Sequence, residues 1–213
     1  MSKIKTKKET NEILKILENE FPDAICGLNY NNSLELTLAL ILAAQCTDNM
    51  VNKIIPILFN KYPTINEMAS ASISDIEKIV KPCGFYRNKA KNIHLTVNKI
   101  ISDFNSDVPN TMDKLTSLYG IGRKSANIIL QECFNKVEGI AVDTHVSRTC
   151  RKIGITKEFI PLKQEQELIQ KVDKYYFNKI NHMLVYHGRK YCDAKKPLCD
   201  ICILKNHCNS YNK

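Results

Sequence analysis

The chain has 213 residues, enough for one large domain or two small ones, and 44% of them are hydrophobic, so a real core is within reach. The net charge of +9 favours a polyanionic partner, because Lys and Arg gain affinity by releasing counterions from phosphates, although a merely basic surface gives the same count. The longest apolar stretch, Leu36–Ala44, is too short to span a bilayer, and no apolar segment follows the basic first ten residues, so neither a membrane span nor a secretory signal is read.

Nearly every segment repeats at helical period. Asn11–Glu20 places Ile13, Leu14, Ile16 and Leu17 on one side, and the Lys-rich residues ahead of it are expected to fray. Ser33 is expected to cap a helix running to about Ala44. Asp48 is expected to start another, with Val51, Ile54, Ile55 and Leu58 on its buried face. Ser74-Asp75-Ile76-Glu77 reads as a capping-box region ahead of Ile79 and Val80. Lys89–Phe104 is a long amphipathic helix, followed by helices over Thr111–Leu118, Arg123–Cys133, Thr144–Ile153, Leu162–Tyr176 and Ile180–Lys190. Sustained alternation and Asn-Gly or Asp-Gly turns are absent, so the predicted class is all-α.

The C-terminal residues carry Cys192, Cys199, Cys202 and Cys208 in the pattern Cys-x6-Cys-x2-Cys-x5-Cys. Thiolates this close can surround one metal centre, either zinc or an iron–sulfur cluster. A structural zinc site usually shows two short pairs, and only Cys199 and Cys202 form one, so the wider gaps favour a [4Fe–4S] cluster while zinc stays open. The other five cysteines, Cys26, Cys46, Cys83, Cys133 and Cys150, stand singly in apolar or helical contexts. They read as buried free thiols, which implies a reducing compartment.

Two further motifs carry chemistry. Leu115–Leu130 reads LTSLYGIGRKSANIIL, a helix end, a tight turn at Gly120-Ile121-Gly122, and a second helix opening at Arg123. Such a turn exposes consecutive N–H groups at a helix N-terminus, where the dipole favours an anion such as a DNA phosphate. A plain αα-hairpin is the alternative. Lys124, in the first turn, is either a surface lysine near phosphate or an amine nucleophile whose proton affinity the helix dipole lowers. Asp143 in IAVDTHVSR sits at an N-cap and is either a cap alone or a carboxylate facing a site; His145 reads as packed.

Taken together, ILAAQCTD at Ile41–Asp48, LYGIGRKSAN at Leu118–Asn127, AVDTH at Ala141–His145 and the four-cysteine run resemble the endonuclease III family of DNA glycosylases, over about Asn29 to Cys208. The resemblance implies a two-lobed helix-hairpin-helix DNA glycosylase fold. A six-helix barrel (29–136), with the hairpin at 113–132, would join a discontinuous helical domain (1–28 and 137–213) holding a [4Fe–4S] cluster on the loop 192–208. It implies Lys124 as catalytic lysine, attacking C1′ of a flipped nucleotide held between the lobes, and Asp143 as catalytic aspartate. Relatives that only remove a base lack a lysine there, so a combined glycosylase and AP lyase is implied. Gln45 would fill the vacated stack, Phe85 would act as an apolar wedge, and Gly120, Ile121, Gly122, Arg123, Lys195 and Lys196 would contact DNA. Arg148, Arg189 and Lys190 would extend that surface, or form a solvated face. Tyr119 stands where the family usually has proline, and Cys46 where it has a small residue.

The expected function is therefore a monomeric base excision repair enzyme of the cytoplasm, nucleoid-associated, acting on oxidised or ring-saturated pyrimidines in double-stranded DNA with damaged bases or abasic sites. A noncatalytic DNA-binding module, or the same fold acting on pyrimidine dimers or mismatched bases, are the alternatives.

Overall fold

The computed structural model of the chain describes residues 3–211, and these are helical with no strand among them. They form two compact units, Met1–Ile25 with Val137–Lys213, and Cys26–Lys136. The boundary falls at Cys26, ahead of the expected Asn29. Residues 27–29 are tied to the second of these units: the Asn52 side chain donates to the Gly27 carbonyl at 2.9 Å and accepts from the Asn29 N–H at 2.8 Å.

Helix α1 spans Lys7–Glu20 and starts earlier than its apolar spacing predicts. Thr6 and Glu9 form a reciprocal capping box, with the Glu9 N–H donating to Thr6 Oγ1 at 3.2 Å and the Thr6 N–H donating to the Glu9 carboxylate at 2.7 Å. Of the ten residues expected to fray, Met1 and Ser2 lie outside the described residues, while the rest are tied down: Thr10 is fully buried, and the Lys5 N–H donates to the Gly154 carbonyl at 2.9 Å.

In the unit Cys26–Lys136, α2 (Ser33–Ala43) is capped by Asn32 rather than Ser33, with Asn32 Oδ1 accepting from the Glu35 N–H at 2.9 Å. Leu36 through Leu42 are all buried, so α2 is the central helix of the unit. Its one polar residue in that run, Thr37, donates its hydroxyl to the Ser33 carbonyl at 2.7 Å. Helix α3 (Asp48–Lys61) is capped by Thr47. The short α4 (Ile65–Ser70) was not foreseen; its start is another capping box, between Thr64 and Glu67. Helix α5 (Ile73–Val80) is capped by Ser72, two residues ahead of the expected region.

After a 3₁₀ turn at Lys81–Cys83, α6 runs Tyr86–Phe104. It opens ahead of the expected Lys89 because Phe85, at φ 45, already redirects the chain and accepts the Lys89 N–H at 3.1 Å. Helices α7 (Met112–Thr116) and α8 (Arg123–Phe134) close the unit. Leu38, Leu58, Ile76, Ile93, Ile100 and Ile129 are fully excluded from solvent at its centre.

The other unit resumes with α9 (Thr144–Ile153), α10 (Pro161–Lys171) and α11 (Ile180–Lys190). The helix expected to continue to Tyr176 stops at Lys171, and only a 3₁₀ turn, Lys174–Tyr176, comes after it. Asn11 of α1 causes the break: its amide donates to the Lys171 carbonyl at 3.0 Å and its oxygen accepts the Asp173 N–H at 3.0 Å. One side chain thus replaces two bonds that a longer helix would have made. The core joins Leu14 and Leu17 of α1, Val146 and Cys150 of α9, and Met183 and Leu184 of α11.

Gly154 ends α9 at φ +98, and a Cβ there would collide with the Asn209 amide. Asn209 is well tied, its N–H to the Ile153 carbonyl at 3.1 Å and its side chain to the Lys3 carbonyl at 2.8 Å. Gly154→Ala is expected to destabilise the protein by about 2–3 kcal/mol, from left-handed strain plus displacement of this segment. Calorimetry checks it, and an unchanged melting temperature would mean that Asn209 moves aside without cost.

Candidate functional site

The hairpin predicted to hold a phosphate is present in the unit Cys26–Lys136, but its two glycines do different work. Gly120 has φ +81, and a Cβ there would sit 2.8 Å from the Asn92 side-chain nitrogen, so glycine is required twice over. Gly122 has an ordinary φ of −94 and open space around it; it is the N-cap of α8 and brings no side chain to bond the helix. The approach to the first turn of α8 is therefore unobstructed. Ile121 is buried, so only its backbone is available to an anion, whereas Arg123 is exposed and Lys124 half-buried. Tyr119 leaves its ring exposed while its carbonyl accepts the Thr96 hydroxyl at 3.0 Å, a bond that steadies the turn without a proline.

Lys124 lies close enough to Cys26 for its charge to be felt there. Burial pushes the Cys26 thiol up to about 11, with the Lys124 ammonium pulling the other way. Beside them the Tyr30 hydroxyl donates to Glu132 Oε2 at 2.7 Å, across 102 residues of sequence. Nothing in the sequence pairs Tyr30 with Glu132; only the fold does.

Gln45 and Phe85, the proposed plug and wedge, share an uncommon backbone. Gln45 has φ 53 and Phe85 φ 45, and both are solvent-exposed, Phe85 by 66%. Core packing therefore does not account for Phe85. A left-handed, non-glycine residue carries strain that a fold keeps only where the surroundings impose it.

In the other unit, Asp143 caps α9, its Oδ1 accepting from the Val146 N–H at 2.8 Å. It is only half-buried, so one carboxylate oxygen holds the helix while the group keeps a face toward solvent. His145 is packed: burial lowers its proton affinity, and its Nδ1 lies 3.2 Å from Arg148 Nη2.

Arg148 has a structural task that the sequence reading did not assign. Its Nε and Nη2 donate to the Cys192 carbonyl at 3.1 and 2.9 Å, and Nη2 also reaches the Gly188 carbonyl at 3.2 Å. This fork binds α9 to the first of the four cysteines. Gly188 makes room for it, since a Cβ there would press on His145 and Arg148. Lys190 is likewise engaged, bonded to Glu20 Oε1 at 2.7 Å.

Cys192, Cys199, Cys202 and Cys208 come after α11 in a segment of two short 3₁₀ turns. Cys208 Sγ meets the Lys152 carbonyl at 3.4 Å, and Cys202 Sγ meets His187 Nε2 at 3.3 Å. Burial raises the Cys202 thiol, and the charges of Cys192, Cys208 and Cys199 raise it further, so all four sulfurs act on one locality. Four thiols acting on one locality are an all-sulfur donor set, the ligand chemistry that holds an iron–sulfur cluster. Between the first two cysteines, Asp193 Oδ1 accepts the N–H groups of Lys195 and Lys196 at 2.8 and 3.0 Å. That turn presents both lysines to solvent, exposed.

Comparison with known proteins agrees with this assembly. Residues 38–174 match the HhH-GPD superfamily of base excision DNA repair proteins, and residues 192–208 match the iron-sulfur binding domain of endonuclease III. The fold and its four-thiol segment thus define a helix-hairpin-helix DNA glycosylase of base excision repair with an iron–sulfur centre. Endonuclease III of Synechocystis sp. is 41% identical over 96% of this chain and 93% of its own, and that of Bacillus subtilis is 39% identical over 91% and 88%. The solved structure of a non-covalent endonuclease III–DNA complex superposes with a TM-score of 0.93 at 35% identity, covering 98% of both chains; that of a trapped endonuclease III–DNA covalent intermediate gives the same values. The chain belongs to the endonuclease III family. It is a DNA glycosylase and AP lyase that binds DNA and carries a [4Fe–4S] cluster, which sets aside both zinc and a noncatalytic role. No helix among the described residues is long and apolar enough to cross a membrane.

Proposed function

We propose that this glycosylase removes oxidised or ring-saturated pyrimidines from duplex DNA, with Lys124 as nucleophile and Asp143 as the supporting carboxylate. Lys124 Nζ attacks C1′ of the damaged nucleotide, the bond to the base breaks, and the base leaves with a proton. The sugar ring then opens as the C1′–O4′ bond breaks and O4′ takes a proton, leaving a Schiff base that acidifies the C2′ hydrogen, and loss of that proton expels the 3′ phosphate by β-elimination. Asp143 stabilises the positive charge that develops on the sugar and assists the proton transfers. Gln45 and Phe85 occupy the space that the flipped nucleotide vacates. The turn Gly120-Ile121-Gly122, Arg123, Lys195 and Lys196 hold phosphates. The cluster supplies structure to the segment that carries the two lysines. The protein acts as a monomer in a reducing cytoplasm on nucleoid DNA, toward which its net charge of +9 draws it.

The observation that carries this reading is the position of Lys124, one residue past the N1 position of α8 and directly behind a turn whose Gly120 cannot be replaced without strain. A phosphate on that turn brings the adjoining sugar within reach of the amine.

Asp143→Asn separates structure from chemistry. Asparagine caps a helix as well as aspartate does, so the stability should hold within a few tenths of a kcal/mol. Base release should fall by about 10²–10⁴-fold, because the charge and the proton acceptor are gone. Wild-type rates in this variant would remove Asp143 from the reaction. A panel of duplexes bearing one ring-saturated pyrimidine, one pyrimidine dimer or one mismatched thymine tests the lesion class. Faster release from either of the last two would replace it.

A further inference from the structure

Lys89 is the only buried lysine or arginine among the described residues, 4% exposed, whereas Arg87 and Lys91 on either side of it face solvent. Lysine is seldom buried without a paired anion, because water solvates an ammonium far better than a protein interior does. Here the acceptor is neutral: Nζ donates to the Cys83 carbonyl at 2.8 Å. Burial accordingly lowers the proton affinity of the amine. A group held at such cost to its solvation calls for a task, and its partner points to one.

Cys83 ends the 3₁₀ turn Lys81–Cys83, and the chain then passes through Gly84 at φ 68 and Phe85 at φ 45 before α6 begins. Phe85 also leaves its ring 66% exposed. Neither state is favourable by itself. A non-glycine residue in the left-handed region is strained, and an apolar ring in water gains by covering itself. Lys89 bonds the peptide groups on both sides of Gly84-Phe85. Its N–H donates to the Phe85 carbonyl at 3.1 Å, and its Nζ to the Cys83 carbonyl at 2.8 Å. The first is the ordinary helix bond, which any non-proline residue at this position makes. The second needs an amine on a long chain, reaching the turn from inside the protein. The Gly84 N–H meets the Lys81 carbonyl only at 3.3 Å, beyond the usual range, so the lysine amine is the firmer tie.

We infer that Lys89 is a positioning residue for damaged DNA: its buried amine locks the turn Cys83-Gly84-Phe85 in the conformation that carries the Phe85 ring outward into the base stack. The inference rests on the reading of Phe85 as the wedge. Without the bond to Cys83, Phe85 relaxes toward ordinary backbone angles and its ring leaves the outward position. The side chain of Lys89 itself touches no DNA.

The test uses the full-length, cluster-containing protein and a duplex that carries an abasic-site analogue beside 2-aminopurine, whose fluorescence rises when the neighbouring stack is opened. Lys89→Met keeps the chain length and removes the donor. It should bind this duplex about tenfold more weakly or worse, as expected when a contact residue moves by an ångström. The 2-aminopurine signal should fall with it, while affinity for undamaged duplex stays unchanged, because a phosphate-binding surface is left in place. Phe85→Ala should show the same losses, and the double variant should be no worse than Phe85→Ala alone, since the lysine acts through the ring. Melting temperatures are read for each variant, and binding is measured well below them. Lys89→Leu runs beside the methionine variant and replaces it if that one does not fold; if neither folds, Lys89 belongs to the scaffold and the inference is lost. Full binding and signal in Lys89→Met overturn the inference and leave the wedge reading standing, provided Phe85→Ala is impaired. An equal loss on undamaged duplex, or a further loss when Lys89→Met is added to Phe85→Ala, places the effect of Lys89 elsewhere and also overturns it. If Phe85→Ala binds and opens the duplex like the parent, the wedge reading itself fails and takes this inference with it.

Discussion

Lys124→Ala is expected to abolish borohydride trapping on DNA with an abasic site and to slow base release by about 10⁴-fold or more, roughly 5.5 kcal/mol of barrier. The size reflects what is removed. In the proposed role Lys124 forms the Schiff base itself, so the loss expected is that of the nucleophile and not of a contributing contact. Protein stability should move the other way. A cation in the first turn opposes the helix dipole, and alanine is the better helix former, so the variant should be as stable as the parent or slightly more so. Lys124→Arg sharpens the result. It keeps the positive charge behind the Gly120 turn, so a lysine that only met phosphate would be replaced with little loss of binding or rate. A nucleophile would not, because guanidinium stays protonated in any ordinary buffer. An Arg variant that traps DNA would sink the assignment, as would an Ala variant that still does.

Cys202→Ser is expected to remove the cluster and to lower the melting temperature by roughly 8–16 °C, the equivalent of about 4 kcal/mol for a chain of this size. The segment that holds the cluster has almost no core of its own. Between Cys192 and Cys208 every residue from Asp193 to Ile201 is exposed, and Leu204 alone is fully buried. Its two 3₁₀ turns are three residues each. Ligation therefore does for this segment what apolar burial does elsewhere. The damage should spread along α9. Cys208 touches the Lys152 carbonyl in its last turns, Arg148 ties its middle to Cys192, and Asp143 caps its start. Base release should fall in parallel with iron content. A variant that keeps its visible absorbance, or loses it without melting earlier, would contradict this account of the cluster as a structural staple.

The readable part of the fold was the part that depends on near neighbours in sequence. Helical period placed α9 and α11 at their observed limits, because apolar residues three and four apart must share a face. Starts were read less well. Thr6, Asn32, Ser72 and the Thr64–Glu67 box are local signals, but each competes with other Ser, Thr or Asn residues nearby, and only the formed helix shows which one bonds. The break after Lys171 was out of reach, since the agent is Asn11, 160 residues away.

The same division holds for the chemistry. The sequence alone determined the all-α class, the four-thiol cluster segment and the motifs of a helix-hairpin-helix glycosylase, because each is written in residue types at short, fixed spacing. Tertiary structure alone decided that Gly120 and not Gly122 needs its missing side chain, that Arg148 serves the Cys192 loop, and that Lys89 is buried with its amine on the Cys83 carbonyl. Those facts depend on which surfaces the packed helices bring within a few ångströms, a three-dimensional relation that no spacing along the chain encodes.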